Sequence, residues 1–295
     1  MTKIKDKLID DFKGVGEMIE ISSSKLYTGG QSLYVCKNSG LVRAKYLRTA
    51  EQIAKAWSDE VYGSNFDGET YTARVPAVKA RQTYVADFAD MHLDLKDKNI
   101  CDIGAGEGQF FEIISGENYK ANCYGIEPSE KNCKQLSKKG FDCFTGTIEN
   151  YIESNNYSQN KFDVITIMWT LVNSASCLDM VNAAYQMLKP GGHIVVAESS
   201  RILVPFKKPL SYYFSKLPVD LHPFHFSANS LTNLLKLSGF KIKHINRYID
   251  TDYLCLIAEK KDGFYNNSFE VDDYNNVISF FERWHLETDT YYKHF

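Results

Sequence analysis

The chain has 295 residues, with 34 basic residues against 37 acidic ones, and its formal net charge is -3 at pH 7. That length allows one large domain, or one domain with a sizeable appendage and a binding cleft. Because there is no basic excess to neutralise a phosphate backbone, the composition argues against nucleic acid as a partner.

Cysteine usage and hydropathy favour the cytoplasm. The seven cysteines are odd in number and scattered along the chain, and several lie in apolar segments. This usage is typical of reduced thiols. The first residues, "MTKIKDKLIDDFKG", lack the apolar core of a secretion signal, and no run of about 18 apolar residues follows. We therefore expect a cytoplasmic protein without a membrane span.

Residues 1–75 are mixed in character and turn-rich. They contain short strand-like pieces such as "SLYVC" and a helix, "TAEQIAKAW", that Thr49 can cap. The next predicted helix starts at Ala77, because Pro76 suits a first helical turn and an apolar stripe follows it. We read 1–75 as an N-terminal appendage.

From residue 98 the chain alternates between short apolar strands and helical stretches of crossover length. This rhythm predicts a doubly wound α/β domain with a parallel sheet. Residues 202–227, with four prolines and many aromatic residues, interrupt it as an insertion over the sheet edge. A helix ending at Gly239 and two strands forming an antiparallel pair then close the sheet. The predicted domain spans 76–263, and a tail, 264–295, packs on it.

The loop after the first strand of this domain holds three glycines at alternate positions, Gly104, Gly106 and Gly108. A dinucleotide fingerprint needs its third glycine where this chain has Gln109, and no Lys-Ser or Lys-Thr pair completes a P-loop. At the end of the second strand, Glu127 can accept hydrogen bonds from both hydroxyls of a ribose. The pattern predicts a site for a nucleoside without a pyrophosphate.

Four segments, "NICDIGAGEGQF", "CYGIEPSE", "FDVITIMWTLVN" and "MLKPGGHIVVAES", resemble consecutive motifs of the class I S-adenosylmethionine-dependent methyltransferases. The resemblance covers 98–260 and implies a Rossmann-like seven-stranded sheet of order 3-2-1-4-5-7-6, with strand 7 antiparallel. It also implies S-adenosylmethionine as cofactor. The implied cofactor residues, with the loop glycine Gly108, are Asp102, Gly104 and Gly106 for the methionine end, Glu127 for the ribose, Pro128 and Ile126 beside the adenine, Thr147 and Ile148 for the adenine amino group, and Met168 and Trp169 facing the methyl group. Many members have an aspartate at the position of Thr147.

A sulfonium methyl group is already activated, so the protein mainly has to align the acceptor and exclude water. A hydroxyl or acidic carbon as acceptor calls for a general base, and histidine is poised near neutral pH. His222 and His225 are the candidates, although either can instead tether the proline-rich loop. Glu198 and Arg201, just past the fifth strand, are candidates for binding the acceptor.

The segment "LYVCKNSGLVRA" resembles half of the zinc ribbon that opens many methyltransferases acting on nucleotide-linked sugars. Ser39 replaces the ribbon's second cysteine after Cys36, so we expect the shape without a metal. The resemblance implies Tyr62 and Arg81 as acceptor-recognition residues.

The leading hypothesis is methylation of a sugar or nucleotide-sugar, at oxygen or carbon, in surface polysaccharide or related biosynthesis. A methyltransferase of another small metabolite, at nitrogen or oxygen, and a non-catalytic binding protein are the alternatives. Whether the chain forms a homo-oligomer is left open.

Overall fold

The computed structural model describes most of the chain. None of the helices in the described part is both long and apolar enough to cross a bilayer. The described residues are 2–28, 31–61, 69–199, 201–205, 222–247, 251, 253–261, 263 and 268–292.

The N-terminal elements are short. Thr49 caps a helix as predicted: its side chain accepts the Gln52 N–H at 3.2 Å, and Gln52 Oε1 accepts the Thr49 N–H at 3.0 Å. One π-helical turn, Ala56–Val61, follows that helix directly. The elements are α1 (Thr2–Lys13), β1 (Met18–Ile21), β2 (Leu33–Cys36), β3 (Val42–Ala44) and α2 (Ala50–Lys55).

Helix α3 (Glu69–Leu93) leads into the α/β domain. It begins earlier than the start predicted at Ala77, so Pro76 lies inside the helix and not in its first turn. A proline removes one backbone donor there, but the residues after it continue the helix because Val78, Val85 and Ala89 form a buried face.

The remaining elements alternate as the sequence predicts. Their order is β4 (Asn99–Ile103), α4 (Gln109–Ile114), β5 (Asn122–Glu127), α5 (Glu130–Lys138), β6 (Asp142–Thr145), α6 (Ile148–Glu153), β7 (Phe162–Met168), α7 (Cys177–Met187), β8 (Leu188–Glu198), β9 (Phe224–His225), α8 (Ala228–Leu237), β10 (Phe240–Ile245), β11 (Leu254–Lys260) and α9 (Tyr274–Tyr292).

Seven of these strands form one sheet in the order β10-β11-β8-β7-β4-β5-β6. Strands β6, β5, β4, β7 and β8 are parallel, and β11 runs antiparallel to both β8 and β10. This confirms the predicted class of fold and the predicted order, with the seventh strand antiparallel. The carboxyl ends of β4, β5, β7 and β8 therefore meet at one edge, where open α/β sheets bind their ligands.

The central strands are apolar on both faces. Along β7, Ile165 and Ile167 belong to one buried cluster, whereas Val164 and Met168 belong to the cluster on the other side. This burial on both faces is the reason that the strands read as continuous apolar runs and not as alternating ones.

A second, four-stranded antiparallel sheet has the order β1-β2-β3-β9. The predicted insertion thus contributes a strand to the N-terminal sheet, with Val42 opposite His225. The tail was expected to pack on the α/β domain, but α9 packs mainly on this small sheet, where Phe281 and Trp284 share a buried cluster with Leu33. The cause is the apolar face that β1–β3 leave uncovered. The residues just before α9 do contact the α/β domain, because Asn233 Nδ2 on α8 donates a hydrogen bond to the backbone oxygen of Glu270 at 2.7 Å.

The expectation that all cysteines are reduced thiols is corrected at one pair. Cys133 on α5 and Cys143 on β6 form a disulfide, with Cα atoms 5.6 Å apart. The pair meets because α5 folds back directly onto β6. The other five cysteines are free, and four of them are buried.

Candidate active site

The glycine loop leaves β4 at the ligand-binding edge of the sheet. Gly104, Gly106 and Gly108 all have left-handed backbone conformations, with φ of 83°, 56° and 82°. A Cβ on Gly104 would lie 2.2 Å from Thr170 Oγ1, so no larger residue fits without displacing the loop after β7. The loop therefore brings two strand ends into close contact beside an open cavity.

The Glu127 side chain fixes this loop from the neighbouring strand. Glu127 Oε2 accepts the Gly106 N–H at 2.9 Å, and Oε1 accepts the Ser129 N–H at 2.9 Å. Burial raises the pKa of the Glu127 carboxyl, and these two hydrogen bonds partly offset that rise. Oε1 also accepts a hydrogen bond from Asn132 Nδ2 at 3.5 Å, which leaves Oε2 with a lone pair for a ribose hydroxyl.

Asp102 lies behind the loop and is not among the described residues that line the cavity. Its Oδ1 accepts the Thr166 hydroxyl hydrogen bond at 2.6 Å. Burial, opposed by the hydrogen bond from Thr166 and aided by nearby Glu127, raises the pKa of Asp102 to about 7. In this structure its contact is with β7, whereas the resemblance places it beside the methionine end.

The cavity, about 1010 Å3 and open to solvent, lies directly beyond these strand ends. That volume includes solvent at the open mouth of the cavity. Residues of the sequence-predicted cofactor set that line it are Gly104, Gly106, Ile126, Glu127, Pro128, Thr147, Ile148, Met168 and Trp169. Gly108 is outside the lining and instead precedes α4 as its N-cap.

Thr147, which is expected beside the adenine amino group, caps a helix in the structure. It is the N-cap of α6: its Oγ1 accepts the Asn150 N–H at 3.3 Å, and its own N–H donates to Asn150 Oδ1 at 3.0 Å. Its polar groups are therefore already paired. Glu149, two residues after Thr147, also lines the cavity. The sequence reasoning did not select it.

Trp169, immediately after β7, has the left-handed φ of 55° that is rare for a bulky residue. The backbone N–H of Trp169 donates a hydrogen bond to Ala197 O at 2.7 Å, which holds the turn against β8. The Arg81 guanidinium carbon lies 4.1 Å from the centre of a Trp169 ring, in cation–π geometry. Both residues line the cavity, so α3 and β7 form one wall together.

The N-terminal appendage supplies a wall that the sequence reasoning missed. Ala50, Ile53 and Trp57 line the cavity from α2 and the π-helical turn after it. The Ser58 hydroxyl donates to Pro128 O at 3.3 Å and joins this wall to the end of β5. The segment "TAEQIAKAW" indicates a helix, but nothing local indicates the surface on which it packs.

Neither predicted base lines the cavity. His225 is fully buried in β9, and burial, with His222 nearby, lowers its pKa to about 3, so its imidazole is neutral. The ring of His222 is 6.4 Å from that of His225. The prediction that one of them acts as general base stays untested, and this placement lends it no support.

One of the described acceptor candidates lines the cavity. Burial raises the pKa of the Glu198 carboxyl, and Arg81 lies close enough to that carboxyl to oppose the rise. Arg81 lines the cavity, whereas Glu198 and Arg201 are not among its described lining residues. Tyr62 lies outside the described residues. In the predicted ribbon, β2 and β3 form a hairpin, and burial raises the pKa of the Cys36 thiol to about 12.

A family model described as a methyltransferase domain matches residues 78–245, more than half of the chain. The chain belongs to this methyltransferase family. The match includes most of α3, the glycine loop, Glu127 and Trp169, which line the cavity together with residues of the appendage.

Curated relatives and solved structures agree with this assignment. The methyltransferase is 24% identical over 206 residues to phosphoethanolamine N-methyltransferase 3 of Arabidopsis thaliana, covering 65% of this chain and 40% of the relative. It is 26% identical over 194 residues to the ubiquinone/menaquinone biosynthesis C-methyltransferase of Francisella tularensis subsp. novicida, covering 62% and 70%. Among the first relatives, the chain thus spans as little as 40% of the relative's length.

The fold is also that of the 1,6-didemethyltoxoflavin-N1-methyltransferase of Burkholderia thailandensis, solved with S-adenosylhomocysteine. That structure has a TM-score of 0.54 and 14% identity, and the match covers 75% of this chain and 96% of the other. At that identity the similarity concerns the fold.

S-adenosylmethionine is the cofactor of this class I methyltransferase, and the site fits it. When bound, it supplies an activated methyl group on a positively charged sulfur. Gly104 and Gly106 form a cradle without side chains, and Glu127 would hold the ribose. Ile126, Pro128 and Ile148 offer apolar surface to the adenine. The strand ends, together with Ala50, Ile53 and Trp57 of the appendage, would orient the cofactor and keep water from it.

Proposed function

We propose that this methyltransferase acts on a small polar acceptor, a sugar or nucleotide-linked sugar, at oxygen or carbon. The observation that carries the proposal is the Arg81–Trp169 pair on the cavity wall. A guanidinium binds phosphate or carboxylate through its planar N–H groups, and an indole offers an apolar face to a sugar ring.

The Arg81 guanidinium supports an anionic group on the acceptor. Arg81 is the one cationic side chain among the described lining residues, which also include Glu107, Glu127 and Glu149. The cofactor would bring a second positive charge, on its sulfur, into the same space. These three carboxylates outnumber the two positive charges, so the support comes from local pairing: a phosphate on the acceptor would pair with the Arg81 guanidinium, and nucleotide-linked sugars carry phosphates.

Unpaired polar groups support a polar ligand as well. Gln82 Oε1 and Trp169 Nε1 are buried and have no hydrogen-bond partner among the described residues, and both side chains line the cavity. A ligand that pairs with either group after a small side-chain adjustment would remove the cost of leaving it unsatisfied.

A second candidate is a small metabolite of another class, methylated at nitrogen or oxygen. Relatives act on phosphoethanolamine and on quinone precursors, and the toxoflavin enzyme has a similar fold. Arg81 would suit a phosphorylated amine equally well, so the acceptor assay has to include both classes.

The test uses methyl-labelled S-adenosylmethionine, the full chain and a panel of nucleotide-linked sugars, free sugars, phosphoethanolamine and demethylated menaquinone. We expect label in a nucleotide-linked sugar, and an Arg81→Met variant should raise KM for it about tenfold or more with a smaller change in kcat. Arg81→Lys is the matched control, because it keeps the charge but loses the planar N–H groups. Label in phosphoethanolamine or the quinone alone would overturn the sugar assignment.

Two further arms separate the roles of single residues. His222→Ala and His225→Ala are run in the same assay, and loss of turnover in one with unchanged S-adenosylhomocysteine affinity would support a general base. Binding of S-adenosylhomocysteine and 5′-methylthioadenosine is compared in Arg81→Met. If only the first ligand is weakened, Arg81 holds the amino-acid end of the cofactor, and its role toward the acceptor is refuted.

A further inference from the structure

Glu198 is the last residue of β8, and its side chain is fully buried. Its Oε1 accepts the backbone N–H of Leu171 at 2.8 Å, across to the segment that follows β7. Glu198 is absent from the described lining of the cavity, so a direct contact with the ligand is not the role that its position indicates.

The segment that it holds is a short 3-10 helix, Leu171–Asn173. The residue before this helix, Thr170, makes no capping hydrogen bond with its side chain, and its hydroxyl instead donates to Met168 O at 3.1 Å. The first N–H groups of a helix have no partner within the helix and need an acceptor from elsewhere. The Glu198 carboxyl is that acceptor for Leu171.

The same segment carries three residues of the cavity wall, Trp169, Thr170 and Asn173. Asn173 Nδ2 donates to Trp169 O at 3.2 Å, so the end of the turn ties back to its start. Trp169 has a left-handed backbone, which persists only where the surroundings hold it in place. Thr170 also lies against Gly104, so a shift of this turn would push the Thr170 side chain into the glycine loop.

We infer that Glu198 is a positioning residue, whose hydrogen bond to Leu171 holds the 169–173 turn in the conformation that shapes the cofactor cavity. The inference concerns the cofactor site and does not depend on which acceptor the enzyme uses. It is an alternative to the expectation that Glu198 binds the acceptor directly.

The experiment measures S-adenosylhomocysteine affinity by calorimetry and backbone amide exchange in the full chain. Glu198→Leu removes the acceptor oxygen, whereas Glu198→Gln keeps a side-chain carbonyl at the same reach. We expect Glu198→Leu to raise the Kd about tenfold and to speed exchange at Leu171, and Glu198→Gln to stay within about threefold of the unmodified chain. Exchange at Leu256 in β11 is the internal control and should not change.

Three results would overturn the inference: unchanged affinity in Glu198→Leu, an equal loss in Glu198→Gln, or faster exchange at Leu256 as well as at Leu171. If Glu198→Leu does not fold, Glu198→Asp takes its place, because its carboxylate is one methylene too short to reach Leu171. Weaker binding in Glu198→Asp with binding retained in Glu198→Gln supports the role. Unchanged binding in Glu198→Asp refutes it.

Discussion

The Thr166 hydroxyl donates a hydrogen bond of 2.6 Å to Oδ1 of Asp102, joining the two central strands β7 and β4 beneath the glycine loop. Both side chains are buried, so water cannot replace this contact. Thr166→Val should destabilise the fold by about 1–3 kcal/mol, because it leaves a buried carboxyl unpaired. Urea unfolding measures the change. Thr166→Ser is the control, since it keeps the hydroxyl and should cost only about 1 kcal/mol for the lost methyl group; an equal loss in both variants would contradict the prediction.

The same carboxyl should make stability depend on pH. The pKa of Asp102 is about 7 in the folded chain, against an ordinary value of 3.8, so the unfolded chain binds fewer protons between these values. The contribution of Asp102 is therefore fully present below pH 3.8 and is lost as pH rises through about 7. Asp102→Asn cannot titrate and should lose less stability than the unmodified chain between about pH 5 and about pH 8 in urea unfolding. Glu198 is present in both proteins, so its contribution cancels; equal losses would show that Asp102 does not titrate in this range.

Gly104 should tolerate no side chain. Gly104→Ala combines a left-handed backbone with a Cβ placed 2.2 Å from Thr170 Oγ1. Gly140 has nearly the same φ, 85° against 83°, and nothing within 4 Å of the added Cβ, so Gly140→Ala measures backbone strain alone. We expect about 1–2 kcal/mol of destabilisation for Gly140→Ala with S-adenosylhomocysteine affinity unchanged. Gly104→Ala should be more destabilised and bind the ligand at least about tenfold more weakly; similar affinities in calorimetry would sink the steric explanation.

Local signals were sufficient for the central sheet. Strands such as β7 are buried on both faces and read as apolar runs, and the glycine loop marks the end of the first strand of the domain. Glu127 could be selected for the cavity because a residue at the end of the second strand must lie beside that loop.

Contacts between distant parts of the chain could not be predicted in this way. Val42 pairs with His225, although more than a hundred residues separate them, and no local pattern encodes such a pairing. The disulfide between Cys133 and Cys143 depends on how α5 folds back on β6, which the cysteine count does not specify. For Thr147 a local signal was available, because a threonine followed three residues later by an amide side chain is a capping pattern.

Trp57 is the sharpest case of a residue found only through the fold, and it leads to a prediction about cofactor affinity. Its position after α2 places it in the lining of the cavity, on the wall that Ser58 joins to Pro128. Trp57→Ala would remove a large aromatic surface that shields the site from water, so S-adenosylhomocysteine should bind about tenfold more weakly, as measured by calorimetry. Tyr46→Ala is the matched control, because Tyr46 is an aromatic residue of the same appendage that is 82% exposed and does not line the cavity. If both variants bind as tightly as the unmodified chain, the appendage makes no energetic contribution to cofactor binding; if both weaken equally, the effect comes from loss of the appendage's structure and not from the indole.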